Sequence, residues 1–264
     1  MNTNLKPLFL SIVLGIGGAG GALAQDAGSG GQDVSQAAND PTASLMAIQF
    51  ADWYTADFHN LPNESDNTLV FRPVIPFTVG GFNNIFRATV PFVTDSPFLQ
   101  NGVSDITVFD LVVFSESWGR WGVGAVALLP TGGDDSGAGQ WGVGPALGFT
   151  ARSGKLLWGV FNQNVFTVAG DHNRPEVNVS IFQPILNYGL GGGWSMGFSE
   201  MSETYDWDQG KFVSLPLGLS LNKMVRFGAQ PVQFSGQYEH NFYDEGAMPS
   251  DTFRFTMKFL FPTG

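Results

Sequence analysis

The run Asp251–Phe261, DTFRFTMKFLF, constrains the fold more than any other stretch. In an extended chain, Phe253, Phe255, Met257, Phe259 and Phe261 fall on one face, and Thr252, Arg254, Thr256 and Lys258 on the other. A period of two with one wholly apolar face marks a strand that separates two unlike environments. VSLPLGLSLN repeats the pattern, with Val213, Leu215, Leu217, Leu219 and Leu221 opposite Ser214, Pro216, Gly218, Ser220 and Asn222. So does PVQFSGQYEHNF, with Val232, Phe234, Tyr238 and Phe242 opposite Gln233, Ser235, Gln237, Glu239 and Asn241.

Such runs follow one another along the chain, at 44–56, 67–79, 84–94, 104–115, 120–130, 140–151, 156–168, 177–188, 194–205, 211–222, 231–242 and 252–261. They are about 10 residues long, the length of a strand that crosses a bilayer at a tilt. Charged residues make up only 13% of the chain, about half of what soluble domains carry. No later stretch reaches the roughly 18 apolar residues of a membrane helix. The expected fold is therefore all-β: a transmembrane antiparallel up-and-down β-barrel of about 12 strands over 44–264. An even strand number places both termini on the periplasmic side.

The N-terminus supports export. Lys6 precedes the apolar run Leu8–Gly18, and a Gly/Ala stretch ends in Ala22-Leu23-Ala24. That is the layout of a signal peptide over 1–24, too short to span a bilayer. Residues 25–43, poor in large apolar side chains, are expected to be a disordered periplasmic lead-in. The chain has no Cys, which excludes both disulfides and lipid attachment at Gln25. Its net charge of −11 argues against nucleic acid as a partner.

The connections sort by charge. If the first strand runs outward, 57–66, 95–103, 131–139, 169–176, 206–210 and 243–251 are outer loops. They hold many acids against a single Arg174, whereas the mostly shorter intervening turns carry Arg120, Arg152, Lys155, Lys223 and Arg226. The repeated tract WGVG, at 121–124 and 141–144, has the same logic. Trp121, Trp158 and Trp194 are expected at the periplasmic interface, with Phe261 closing the last strand. Trp141 is expected at the outer interface, completing an aromatic girdle. The glycines between face inward, where a curved wall leaves little room.

Charges within strands belong in the lumen, because Arg or Lys facing mid-bilayer lipid costs roughly 2–4 kcal/mol. The lumen-lining candidates are Arg72, Arg87, Arg254 and Lys258, with Asp110, Glu203 and Glu239 as counter-charges. Glu200 falls in the outward row of Trp194, Met196 and Phe198, and a bulge near Ser199–Ser202 is expected to turn it inward. DWDQG at 206–210 and GGDDSG at 132–137 lack the downstream Glu and ligand spacing of a calcium loop, so neither a metal site nor a cofactor is expected. His59 and His172 fall in loops and His240 in an apolar row; no Ser/His/Asp order accompanies them, and no enzymatic role is expected.

The segments TLVFRPVIPF (68–77), WGVGPALGF (141–149), ETYDW (203–207), QPVQFSGQYE (230–239) and FLFP (259–262) together resemble one family. It is the family of outer-membrane proteins named for the meta-pathway of phenol degradation, and the resemblance covers roughly 44–262. It implies a bacterial outer-membrane barrel that takes up small molecules, with aromatic or hydrophobic solutes as candidates, and no agreed catalytic residues. The chain's ending also resembles the signal read by the barrel-assembly machinery, with Arg254, Phe259 and Phe261 in its slots. Thr256 stands where that signal has Gly, and PTG trails the last aromatic.

The expected function is a channel or facilitated-diffusion transporter for an unidentified small-molecule solute. The rival is a structural or surface-interaction barrel with a plugged lumen, whose acidic loops meet lipopolysaccharide and outer-membrane lipid. Twelve strands do not separate the two, because eight-stranded barrels are filled by side chains and those of sixteen or more hold water.

Overall fold

A computed structural model of the chain describes residues 30–261. The expected signal peptide, residues 25–29 and the trailing PTG lie outside the described residues. After a helix α1 (Gly30–Ala37), the chain forms β1 (Met46–Phe58), β2 (Asp66–Val79), β3 (Phe82–Asp95), β4 (Gly102–Val103), β5 (Ile106–Glu116), β6 (Gly119–Leu129), a one-turn α2 (Gly133–Ser136), β7 (Gln140–Ser153), β8 (Leu156–Gly170), β9 (Asn178–Gly191), β10 (Trp194–Phe198), β11 (Glu203–Asp206), β12 (Lys211–Ser214), β13 (Pro216–Phe227), β14 (Gln230–Asn241) and β15 (Pro249–Phe261). Consecutive strands pair antiparallel, and β1 closes on β15 with Met46 opposite Phe261.

β10 and β11 are two halves of one stave, since β9 pairs with both. β12 and β13 are halves of the next, paired with β11 and β10 respectively. β4 is a short outer-loop bridge on β3. The wall is thus a closed antiparallel barrel of twelve staves, as the alternation implies.

Its exterior carries exposed Phe50, Phe71, Ile75, Val123, Leu147, Leu217, Leu221 and Phe255. No water-soluble surface exposes so large an apolar band. Trp121, Trp141, Trp158 and Trp194 all point outward and are exposed, as a girdle requires. Phe261 faces the same way at the end that carries both termini of the barrel, the end that the charges of the connections predict to be periplasmic. Trp121 stacks on Phe114, with ring centroids 4.4 Å apart.

Periplasmic turns are two residues long. At Gly80 and Gly81 both φ values are positive, 59° and 83°, the requirement of a tight hairpin turn whose twist matches its strands. The inward glycines of the WGVG tracts answer to crowding. A Cβ on Gly124 would lie 1.8 Å from the Asp110 carbonyl oxygen, and one on Gly144 would lie 1.9 Å from that of Asn164.

Residues 30–43 differ from the expected disordered lead-in. α1 and the turn after it enter the periplasmic end of the lumen, where Ala38, Ala43 and Leu45 are buried against the wall. Small apolar side chains cannot hold a segment alone, and composition does not reveal a surface elsewhere in the chain that receives them.

Candidate functional site

The site is the lumen, and β1 sets its geometry. Ala47, Gln49, Ala51, Trp53 and Thr55 form the inward row. Gln49 is paired with Arg72 of β2 on one side and Lys258 of β15 on the other. Trp53 is paired with Arg254 of β15. Three cations from neighbouring staves therefore converge on one inner face.

Two carboxylates answer them. Arg72 Nη1 donates to Glu200 Oε2 at 2.9 Å. Arg254 Nη2 donates to Glu239 Oε2 at 3.0 Å, and its Nη1 to the Glu200 carbonyl at 2.6 Å. Glu200 reaches inward because the stave breaks between Phe198 and Glu203; there its backbone N–H donates to Gln237 Oε1 at 2.7 Å. The Trp53 indole lies beneath both guanidiniums, 5.3 Å from that of Arg72 and 5.0 Å from that of Arg254. Away from water, one such contact contributes up to about 2 kcal/mol. Paired charges of this kind brace the wall, and removing one partner leaves the other buried and uncompensated.

The facing wall is apolar. Phe109, Leu111, Val126, Leu128, Phe161, Val165, Val179 and Ile181 point inward from β5, β6, β8 and β9 and are buried. Phe109 and Phe161 pack with centroids 5.4 Å apart. Arg87 of β3 stands at the seam between the two walls, its guanidinium 4.3 Å from the Phe109 ring centre.

At the periplasmic end Asp40 clasps the entering segment to the wall. Its Oδ1 accepts from Thr42 N at 2.9 Å, Thr42 Oγ1 at 2.7 Å and Thr150 Oγ1 at 2.9 Å. Its Oδ2 lies 3.4 Å from Arg120 Nη1 and 3.7 Å from Arg152 Nη2. Lys258 Nζ donates to the Ala38 carbonyl at 2.6 Å. An outer cavity of about 170 Å³ has Trp53, Arg254 and Glu239 in its lining. One of about 50 Å³ lies beside Glu200 and Lys258, and a periplasmic one of about 590 Å³ touches Asp40, Arg120 and Arg152. No residue lines more than one of the three.

Arg72, Arg87, Glu200, Glu239, Arg254 and Lys258 thus come together in the lumen as expected. Asp110 and Glu203 do not. The inward row of β5 is Thr107, Phe109, Leu111 and Val113, so Asp110 faces outward with Val108 and Val112. Both rows of that strand are apolar, and the lone charge misleads about its direction. Glu203 faces outward with Tyr205 because the break changes the phase of its stave: the displacement that carries Glu200 in carries Glu203 out. Two contributors escape the sequence reading. Trp53 is hidden in AIQFADWYTADF as one aromatic among several, and Asp40 lies in a segment with no strand signal. Asp206 of DWDQG accepts from the backbone of Asp208 and Gln209, both at 2.9 Å, capping its own turn.

No family model and no curated protein sequence matches the chain. Among solved structures, the COG4313 outer membrane channel from Pseudomonas putida F1 superposes with a TM-score of 0.57 at 14% identity, covering 82% of this chain and 93% of its own. Outer membrane phospholipase A from Escherichia coli gives a TM-score of 0.42 at 10% identity, covering 84% and 94%. The likeness to the Pseudomonas channel is one of fold: the closed barrel with which the lumen has to be read.

Proposed function

We propose that the protein is an outer-membrane channel for facilitated diffusion of small molecules, closed at rest by its own N-terminal segment. The observation that carries this reading is the arrangement of the lumen. Cavities at its outer and periplasmic ends are separated by side chains and by a segment held through hydrogen bonds, ion pairs and the burial of a few small apolar side chains. Such contacts yield on the μs–s timescales of local opening. A wall meant only to be filled needs neither a charged lining nor a separable plug.

The match to an outer-membrane channel supports this reading, as does the order of segments resembling the phenol meta-pathway family. Arg72, Arg87, Arg254, Lys258, Glu200 and Glu239 are its lumen-lining residues, and hydrophobic or aromatic bodies have Phe109, Phe161 and Trp53 to pass. The acidic outer loops face lipopolysaccharide, and the last strand addresses the barrel-assembly machinery. No chemistry is assigned to the histidines. His240 Nδ1 lies 3.1 Å from Asp251 Oδ1, while Ser250 Oγ bonds the other oxygen of that carboxylate and not the imidazole.

The test is conductance of the mature protein in planar bilayers. The channel reading expects small, fluctuating steps. Persistent silence under voltage and across salts favours the rival, a plugged structural barrel, to which the separated cavities also lend themselves.

A further inference from the structure

Of the four lumen cations, Arg87 is the one with neither an ion pair nor a hydrogen-bond partner at Nε and Nη2, the Glu200 carboxylate acting on it only from beyond ion-pair distance. It is 2% exposed, and no ion pair among the described residues includes it. Arg72 and Arg254 each hold a carboxylate, and Lys258 donates to the plug. Four cations against Glu200 and Glu239 leave an excess of two positive charges, 4 − 2 = 2. Arg72 also presents Nε and Nη2 without partners. Unpaired guanidinium N–H groups buried in a protein are costly unless an anion arrives to take them.

We propose that Arg87, with Arg72 beside it, is a carboxylate-binding position, and that the preferred solute is a small monocarboxylate with an apolar, ring-sized body. This rests on the channel reading above. The guanidinium fork matches the two oxygens of a carboxylate. The surroundings exclude other anions: beneath Arg87 lies the Phe109 ring, which packs on Phe161, with Leu111 and Val126 nearby on the same wall. A strongly hydrated dianion such as phosphate would lose its hydration against the Phe109 ring and Leu111, whereas an apolar body gains burial there. Entry is from outside. Thr89, two residues along the inward row from Arg87, lines the outer cavity with Thr107 and Leu128, so its floor lies one side-chain layer above the Arg87–Phe109 pair.

The test compares reversal potentials in planar bilayers under gradients of sodium benzoate, sodium phosphate and benzylammonium chloride. Swelling of proteoliposomes in arabinose, an uncharged solute, is followed in parallel. The native channel is expected to prefer benzoate to both other ions. Arg87→Gln should reduce the benzoate-to-phosphate preference roughly tenfold, the worth of one charge-assisted pairing. Because the preference is a ratio taken within one variant, any change in pore opening that arabinose swelling reports divides out. Arg87→Lys, which keeps the charge and loses the fork, should lose benzoate preference while still excluding benzylammonium, and it decides the matter if the Gln variant does not fold. An unaltered benzoate-to-phosphate ratio in the folded variants overturns the carboxylate site and leaves the channel standing. Absence of both current and arabinose swelling in the native protein overturns the channel, and this inference with it.

Discussion

The two inner walls of the barrel solve the same packing problem by opposite means. The wall built from β14, β15, β1 and β2 is ionic, with Arg72, Arg254 and Glu239 around Trp53 and Glu200 reaching in from the break between β10 and β11. The wall built from β5, β6, β8 and β9 is packed like the interior of a soluble domain, around Phe109 and Phe161. The ionic wall is specific but intolerant, because each charge depends on its partner. The apolar wall depends chiefly on volume, although its strands also bury Gln163, Ser180 and Gln183. A lumen with one wall of each kind suits a solute with one charged end and one apolar end.

Breaking the walls separately should show the difference. Phe161→Ala opens a cavity in the apolar wall and should cost about 3–5 kcal/mol. Arg72→Met leaves Glu200 buried without a partner and should cost a similar 3–5 kcal/mol. The two differ in rescue. Adding Glu200→Gln to Arg72→Met should recover most of that loss, whereas it should do nothing for Phe161→Ala. The temperature at which the fast-migrating folded band disappears from an SDS gel reads both. Failure of the rescue would mean that the two side chains are not energetically coupled.

A smaller effect sharpens the same contrast on the outside of the wall. Asp110→Asn and Glu203→Gln remove carboxylates that face outward, where acids cost less than Lys or Arg but still cost. Each should be neutral or stabilising by less than about 1 kcal/mol. Were either a lumen counter-charge, its removal would destabilise the barrel and shift ion selectivity.

These two residues also mark where the sequence stops being legible. All twelve staves can be read from alternation, because lipid and lumen impose opposite demands on adjacent residues. Six of the eight lumen candidates follow from the cost of placing charge in lipid. The argument fails where its premise fails: in β5, apolar on both faces, and after the break at Glu200, which shifts the phase by one residue. The plug is illegible for another reason. Ala37, Ala38 and Ala43 acquire a role only once a lumen exists to receive them.

The central claim, that solute passes only when the N-terminal segment gives way, can be tested with one lock. Thr42 Oγ1 and Thr150 Oγ1 are both buried and lie 2.8 Å apart, and the chain has no cysteine to interfere. A Thr42→Cys/Thr150→Cys variant therefore ties the plug to β7 when oxidised and frees it when reduced. Single-channel current should be absent from the oxidised protein and return, in the same membrane, on adding reductant. Equal current before and after reduction of a verified disulfide would contradict the account, because solute would then be passing while the segment stays tied to the wall at residue 42.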